Sequence, residues 1–417
     1  MYVNNREQIN HHSFMTALRN KHGYSLKKVC TGVCGESGMN RFEKGNRVAE
    51  KLMRDRIIAR LGISCEKFED YLQPKEYAKW EKRMHIVQAI KERRLEVAKQ
   101  ELKAYENSSN LNCVQKQFIE AMHFMILTLE GASEEVRRDC IKRAVSLTVP
   151  NQKQALEGMH LLSVQEINLI LEQIRLEKSK EGNQFDSKWR LTEYEKLLAY
   201  IENSCWEDIQ KAKIYPKVVY YICLELLSQK LTEDNRSDFC FLYYENECYN
   251  IVKVLECRRK MLGFSRTTLG EGVCSAKTII RFEREGVSPS LELTRRLFEK
   301  MGICAEYRRA MVVTTDVDAL FLWDEITRNL NNGDYEEGEA NLKRLKKLLH
   351  MDIPQNQQEL LRLDTLLKWK RKEISAEDFS KNMEKALEYT LPLEALKKEG
   401  EKFLSRNERL LVCDFLK

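Results

Sequence analysis

Proline and long apolar runs are scarce in this sequence. Only 6 of the 417 residues are proline, and the helix-favouring residues Leu, Glu, Lys, Arg and Ala are abundant. No stretch alternates apolar and polar residues for long enough to indicate a sheet. The sequence therefore predicts an all-α fold, and a chain of this length is expected to hold two or more domains.

No apolar segment has the length that a bilayer or a secretion signal requires. The longest mainly apolar run, 218–227, is far shorter than the roughly 20 residues of a membrane-spanning helix. The segment 2–12 is polar and lacks the apolar centre of a signal peptide. We therefore expect a soluble, cytoplasmic protein that does not bind membranes.

Cysteine is abundant, but the patterns that would give it a special role are missing. The 13 cysteines are an odd number and include no Cys-x-x-Cys pair. Cys30 and Cys34 are the nearest neighbours, and no histidine lies close enough to complete a zinc site. We interpret the cysteines as reduced structural thiols, with redox sensing as the alternative, and expect no metal.

Catalytic and cofactor motifs are missing as well. The sequence has no phosphate-cradling glycine loop, no His-Glu-x-x-His zinc motif and no nucleophile elbow. His11 and His12 are adjacent in a polar stretch, and the other histidines are isolated. The sequence therefore predicts a protein that is not an enzyme and that holds no cofactor.

Positive charge is concentrated in two segments. Residues 13–64 contain eleven Lys and Arg against four acids, and residues 252–304 contain eleven against six. Because the whole chain has a net charge of only +6, the remainder is acidic. A basic surface of this kind suits a phosphate backbone, although a basic face can also be merely solvated.

The stretch 257–303 has the pattern of two short helices joined by a tight turn. Ser265 can cap a first helix with its hydroxyl, and Ser275 can cap a second one. Between them, Gly272 permits the left-handed conformation that reverses the chain. The residues expected to point inward are Leu269, Ile279 and Phe282.

This stretch resembles the Xre-type, lambda-repressor-like DNA-binding domain over about fifty residues. In that family an arginine of the first helix pairs with a glutamate that ends the recognition helix, and Arg259 and Glu283 occupy those positions as scaffold. The chain departs from the commonest pattern at Thr267 and Thr268, where many members carry Gln or Glu. The resemblance implies that Lys and Arg donate to bases or phosphates. The implied DNA contacts are Arg266, Ser275, Lys277, Thr278 and Arg281.

An earlier stretch repeats this one at an offset of about 240 residues. At that offset 19–43 aligns with 259–283 and shares the arginine, the capping serine, the turn glycine and an Arg-Phe-Glu run. Further on, Leu162–Glu166 matches Leu404–Glu408 at an offset of about 242. A fixed period of this kind indicates a duplicated structural unit. Ser163 and Glu166 also form a predicted capping box.

The first copy has an unusual recognition helix. Gly35 and Gly38 weaken a helix, and Glu36 would direct an acid toward DNA. One interpretation is that this copy has lost its base contacts and serves docking or dimerisation; the other is that it still binds DNA. Its candidate DNA contacts are Lys27, Ser37, Asn40 and Arg41. Its candidate phosphate contacts are Lys44, Arg47, Lys51 and Arg54.

The predicted architecture is a tandem duplication of a helix-turn-helix domain and a helical repeat region. The stretches 94–98 and 333–337 resemble the turn and second helix of tetratricopeptide-like repeats, whose helix pairs stack into a solenoid. Aromatic residues between 215 and 249 are interpreted as core, with a ligand groove as the alternative. The segments are a polar leader 1–12, a first helix-turn-helix domain 13–73, a tetratricopeptide-like domain 74–244, a second helix-turn-helix domain 245–308 and a C-terminal helical repeat region 309–417. We call 13–73 the first motif segment and 245–308 the second motif segment.

An Xre-type domain joined to tetratricopeptide-like helices resembles the peptide-responsive Rgg/PlcR regulators of bacterial quorum sensing. The resemblance implies a sequence-specific transcription regulator at the bacterial nucleoid, a homodimer on double-stranded DNA, with a short signalling peptide in the solenoid. Two helix-turn-helix copies in one chain depart from that architecture. The alternative is a protein-interaction or peptide-sensing scaffold whose helix-turn-helix folds, especially the first, no longer read DNA. The sequence identifies no ligand-binding residue.

Overall fold

Helices joined by short turns make up nearly all of the chain that can be described. The computed structural model describes residues 11–46, 48–108, 110–177, 183–227, 239–245, 247–304, 311–314 and 316–415. Within these ranges the all-α prediction is confirmed. The first helix begins at His11, inside the predicted leader 1–12, whose residues 1–10 lie outside the described ranges.

The helices are numbered here in chain order. The first twelve are α1 (His11–Lys21), α2 (Leu26–Cys30), α3 (Glu36–Glu43), α4 (Lys51–Arg60), α5 (Pro74–Lys91), α6 (Leu95–Glu106), α7 (Cys113–Leu129), α8 (Glu134–Ser146), α9 (Gln152–Leu156), α10 (Val164–Leu176), α11 (Asn183–Asn203) and α12 (Asp208–Leu226). The others are α13 (Ile251–Leu262), α14 (Arg266–Gly270), α15 (Ala276–Glu285), α16 (Leu291–Lys300), α17 (Val317–Asn332), α18 (Tyr335–Leu348), α19 (Pro354–Lys370), α20 (Ala376–Glu388), α21 (Leu393–Lys397) and α22 (Arg406–Phe415). Two short 3-10 turns are Cys65–Lys67 and Cys240–Leu242.

A single pair of short strands interrupts the helical pattern in the described ranges. Strands β1 (Asp70–Leu72) and β2 (Cys248–Asn250) pair in parallel, with Tyr71 opposite Tyr249. The sequence predicted no sheet, because three residues are too few to show an alternating pattern. Strands this far apart in sequence pair only once the tertiary fold brings them together.

The contacts divide the chain into two compact units that are not continuous in sequence. Unit 1 comprises Met1–Ala17, Glu66–Tyr77 and Glu247–Lys417. Unit 2 comprises Leu18–Cys65 and Ala78–Asn246. Most of the first motif segment therefore belongs to unit 2, and nearly all of the second belongs to unit 1.

In unit 1, helix α13 contributes to two apolar clusters. Ile251 and Leu255 pack in one cluster with Phe282 of α15 and Phe298 of α16. Met261, near the other end of α13, belongs to a cluster formed by α20, α21 and α22. Because α13 belongs to both clusters, it joins the second motif segment to the C-terminal helices through apolar packing.

Unit 2 packs residues 18–65 of the first motif segment with most of α5 and with helices α6 to α12. The predicted capping box at the start of α10 is confirmed, with Ser163 and Glu166 bonding each other's backbone N–H groups. Tyr221, Phe239 and Tyr243 are buried, so these aromatic residues belong to the core, as predicted. Other aromatic residues of the region, such as Phe241 and Tyr244, are exposed.

Candidate nucleic-acid interface

The two short helices of the second motif segment begin at the predicted serine caps. The Ser265 hydroxyl accepts a hydrogen bond from the Thr268 N–H at 3.0 Å and starts α14. The Ser275 hydroxyl accepts from the Thr278 N–H at 3.2 Å and starts α15. Between the helices Gly272 has φ +68°, the left-handed conformation that the sequence predicted.

Helix α15 has one buried side and one exposed side. Ile279 and Phe282 lie in the core, while Lys277 and Arg281 are exposed. The Arg281 side chain is 54% exposed, and its contact with Glu285 at 3.4 Å is a weak surface pair. Both charged side chains are therefore accessible to a large ligand such as a duplex.

Two of the predicted DNA contacts on α15 have a structural task as well. Ser275 is exposed and Thr278 is half-buried, and their hydroxyl oxygens lie 2.9 Å apart within the cap. Because these hydroxyls satisfy each other and the helix start, each has less capacity to bond a base.

Arg266 is held by the scaffold, which differs from its predicted role as a backbone anchor. The Arg259 Nε donates to Glu283 Oε1 at 2.7 Å, as the family pattern implies. In addition, the Arg266 Nε donates to Glu283 Oε2 at 2.7 Å. Burial would raise the pKa of Glu283, but hydrogen bonds from both arginines outweigh it and lower that pKa. The Arg266 side chain is only 31% exposed, so much of its donor capacity is directed inward.

Sequence reasoning missed two basic residues of α16 that bond the turn between α14 and α15. Arg296 Nη2 donates to the Gly272 carbonyl at 2.7 Å, and Lys300 Nζ donates to the Leu269 and Glu271 carbonyls. Carbonyls at the C-terminal end of a helix attract cations. That rule predicts a cation near these carbonyls. It identifies Arg296 and Lys300 only once the structure shows that α16 packs beside the turn.

The first motif segment repeats the same local geometry. The Ser25 hydroxyl accepts from the Lys28 N–H at 3.1 Å, and Arg19 pairs with Glu43 at 2.6 and 2.8 Å. Gly35 occupies the N-cap of α3 and offers no side-chain cap. The four candidate DNA contacts are exposed, namely Lys27, Ser37, Asn40 and Arg41.

Two of the predicted phosphate contacts in this segment are wrong. Lys51 and Arg54 are each only 3% exposed, and Lys51 Nζ lies 2.5 Å from an Asp55 carboxylate oxygen. The sequence could not show that other helices bury these two residues of α4. Lys44 is exposed, and Arg47 lies outside the described residues.

Unit 2 packs a chain segment against the turn of the first motif segment. A Cβ added to Gly32 would overlap the Thr148 carbonyl oxygen, and the Leu161 N–H donates to the Lys28 carbonyl at 3.0 Å. Arg60 fixes the arrangement, because it donates to the Thr148 carbonyl at 3.0 Å and to both carboxylate oxygens of Glu166.

Unit 1 contains an equivalent network of an arginine, a threonine carbonyl and a glutamate. This network contacts a different part of the motif segment. Arg258 donates to the Thr390 carbonyl at 3.0 Å and to both carboxylate oxygens of Glu408. Here the glycine that meets the threonine carbonyl is Gly302, which follows α16. The turn at Gly272, the equivalent of Gly32, has no atom within 4 Å of an added Cβ.

The described residues thus form an all-α protein with two similar helical segments that differ in whether the turn between their two short helices is covered. No protein-family model, no curated protein and no solved structure matches the chain. Among the described helices, none combines the length and apolar character needed to cross a bilayer. In the same ranges no group of three or more His, Cys, Asp or Glu side chains is placed to hold a metal ion.

Proposed function

We propose that this protein is a sequence-specific DNA-binding transcriptional regulator and that its second motif segment reads the DNA. The observation that carries the proposal is the exposed side of α15, which presents Lys277 and Arg281, next to an uncovered turn at Gly272. The net charge of +5 over 252–304 supports it, because a phosphate backbone attracts such a surface.

In this mechanism α15 enters the major groove of double-stranded DNA. Arg281 donates to a base edge, for which guanine offers two acceptors, while Lys277 binds a phosphate as a point charge. Arg266 and Arg259 hold Glu283 and so fix α15 relative to α13 and α14. DNA affinity then comes mainly from Lys277 and sequence preference mainly from Arg281.

A gel shift with the DNA upstream of the gene, run across salt concentrations, tests the proposal. The double variant Lys277→Ala, Arg281→Ala should bind at least tenfold more weakly, roughly the loss of one or two good contacts. The control is Lys346→Ala, Lys347→Ala, which removes the same charge from exposed positions of α18. Binding of the α15 double variant at wild-type strength would exclude this helix.

The single variants separate the two roles. Lys277→Ala should weaken binding to every sequence and reduce the slope of log K against log salt by about 1. Arg281→Ala should relax the preference at one base position only. Selection of bound sequences from a random pool measures the second effect.

The proposal also includes a homodimer and a short peptide or other ligand in the helical solenoid, both as the resemblance implies. A dimer would place two α15 helices on half-sites about 34–36 Å apart. Analytical ultracentrifugation measures the dimer, and calorimetry with short hydrophobic peptides measures ligand binding.

A second candidate function is an interaction scaffold, and one observation favours it for the first motif segment. The turn at Gly32 is packed against Thr148, and Lys28 accepts a bond from Leu161. A helix-turn-helix fold that docks protein in this way can do so without reading DNA. If that is the function of the whole chain, no genomic fragment should be enriched when DNA bound to the protein is isolated and sequenced.

A further inference from the structure

A cavity of about 350 Å³ lies in unit 2, between the first motif segment and the helical region. Its walls come from α2 and the turn before it, from the loop after α9, and from α11 with the three residues that follow it. A cavity of this volume suits a small organic ligand. None of the described residues that line it is a predicted DNA contact, so the cavity is a separate candidate site.

Aromatic side chains form part of the cavity wall. Tyr24, Tyr200 and Trp206 all line it, and Trp206 is only 4% exposed. The rings of Tyr200 and Trp206 meet edge to face, with their centroids 6.1 Å apart. Aromatic rings of this kind favour a ligand that carries a ring of its own, because they can make further edge-to-face or offset contacts with it.

Three hydrogen-bond donors of the lining residues have no acceptor in the ranges that the structure describes. The Lys28 ammonium lies 4.8 Å from the centre of the Tyr24 ring and pairs with no carboxylate there. The Tyr200 oxygen accepts the Leu162 N–H at 2.6 Å, which leaves its own proton to donate. The Trp206 indole N–H also has no acceptor within these ranges. Since a donor removed from water costs free energy until it is bonded, the site favours a ligand that carries acceptors.

The charged side chains of the cavity favour a negative ligand. Arg60 already bonds a carboxylate of the protein, and Lys196 pairs with Glu193 at 2.6 Å in a weak surface contact. Lys28 is half-buried, so water screens its charge incompletely. Glu157 also lines the cavity, but it is exposed and its charge is screened by solvent. The cation available to an anionic ligand is therefore Lys28.

The second motif segment lacks these polar groups although it has the same capped helix. At the offset of 240 residues, Phe264 stands at the position of Tyr24, and Thr268 stands at the position of Lys28. The serine cap of the short helix is present in both copies. The fold of the motif therefore requires neither the Tyr24 hydroxyl nor the Lys28 ammonium, which leaves both free for ligand binding.

We propose that this cavity binds a small aromatic carboxylate. Lys28 binds the carboxylate as a charged donor, the Tyr200 hydroxyl and the Trp206 N–H supply further hydrogen bonds, and the aromatic side chains contact the ring. The bound ligand contacts both α2 and α11, so it joins the first motif segment to the helical region. This binding does not depend on the proposed DNA recognition, which uses the second motif segment.

Isothermal titration calorimetry of the full-length protein, without DNA, tests the proposal with phenylacetate and indoleacetate as probes. At least one of these acids should bind saturably, with one ligand per chain. The neutral amide of each acid keeps the ring and loses the charge, so it should bind about tenfold more weakly. Hexanoate keeps the charge and has no ring, so it should bind about threefold more weakly or worse.

Variants of the lining residues test whether binding occurs in this cavity. Lys28→Ala should weaken binding of the aromatic acid about tenfold, because a charge-assisted hydrogen bond is lost, and Lys28→Arg should retain most of the affinity. Trp206→Phe keeps a ring and removes the N–H, and it should weaken binding about threefold. The control is Lys153→Ala, at an exposed position of α9 that does not line the cavity, and it should bind like the wild type. Thermal unfolding without ligand checks that each variant is folded.

Three results would overturn the proposal. The first is that neither aromatic acid binds. The second is that the amides or hexanoate bind as tightly as the aromatic acids, which would remove the reason for a charged or an aromatic ligand. The third is that folded Lys28→Ala and Trp206→Phe both bind at wild-type affinity, which would place the ligand elsewhere. Since no DNA is present, these outcomes are separate from those of the gel shifts.

Discussion

Glu166 shows how a single buried carboxylate holds a whole network in place. Burial by itself would raise its pKa, but the guanidinium groups of Arg60 and Arg56 outweigh burial and lower the pKa to about 2. A carboxylate with a depressed pKa stabilises the folded state above its unfolded pKa of about 4.5. That stabilisation is lost as the pH falls from about 4.5 toward 2.

We expect Glu166→Gln to lower the free energy of unfolding at neutral pH by roughly 3–5 kcal/mol, because the buried Arg60 keeps its charge without its carboxylate partner. The difference from wild type should shrink as the pH falls through the range in which Glu166 takes up its proton. Urea unfolding at several pH values measures both effects. Glu157→Gln, at an exposed position, is the control and should change little; a difference that does not depend on pH would contradict the assignment.

For Arg266 the sequence predicted a DNA contact, whereas the structure shows a bond within the protein. Since its Nε bonds Glu283, we expect Arg266→Ala to lower the free energy of unfolding by about 1 kcal/mol. DNA affinity should fall less than in Lys277→Ala, which in turn should leave stability unchanged. Thermal unfolding and gel shifts on the same two variants compare these effects. A larger loss of affinity in Arg266→Ala than in Lys277→Ala would indicate that Arg266 contacts the DNA backbone, as the sequence predicted.

At the scale of elements, the two turn glycines Gly32 and Gly272 are equivalent in sequence and different in surroundings. Both have positive φ, so alanine at either position costs about 1 kcal/mol of backbone strain. Only at Gly32 would the added Cβ also overlap the Thr148 carbonyl. The cost of the same substitution should therefore differ between the two copies.

We expect Gly32→Ala to lower the free energy of unfolding by roughly 3 kcal/mol or more, because the turn must move away from Thr148. Gly272→Ala should lower it by only about 1 kcal/mol. Chemical denaturation of the two variants provides the comparison. Gly302→Ala, which would overlap the Thr390 carbonyl, should resemble Gly32→Ala. Equal losses at Gly32 and Gly272 would show that the covered turn contributes nothing.

The capped starts of the helices could be predicted at this scale, and the strand pair could not. Ser265 and Ser275 cap their helices through bonds that span three residues, so the local sequence contains both partners. β1 and β2 pair across nearly 180 residues, and neither strand is long enough to form a pattern by itself. The burial of Lys51 and Arg54 escaped prediction for the same reason, because distant helices cover them.

At the scale of the whole molecule, charge is distributed unequally among regions. The motif segments are basic and the rest of the chain is acidic. In the proposed mechanism this distribution directs a duplex toward the motif segments and away from the helical regions. In the proposed mechanism only the second motif segment has both an uncovered turn and an exposed, lysine-bearing recognition helix. We therefore expect the two segments to contribute unequally to DNA binding.

The double variant Lys27→Ala, Arg41→Ala in the first motif segment should weaken DNA binding by less than about threefold, because general charge attraction is all it removes. It removes the same charge as the Lys277→Ala, Arg281→Ala variant. Gel shifts on one promoter fragment at one salt concentration compare them. Equal losses would mean that both segments read DNA, and a larger loss in the first would reverse the assignment.

The sequence by itself determined the all-α class, the capped helices and the positive-φ turns, because each depends on composition or on residues close together in the chain. The Arg-Glu pairs were implied by the family resemblance. Only the tertiary structure decided that the turn at Gly32 is covered by another chain segment while the turn at Gly272 is not. Arg60 and Arg258 bind equivalent carboxylates, Glu166 and Glu408, but they do so from different positions in the two copies. The physical reason is that docking depends on the fit of whole surfaces, and a few substitutions at a surface can change the docked face while every local signal stays the same.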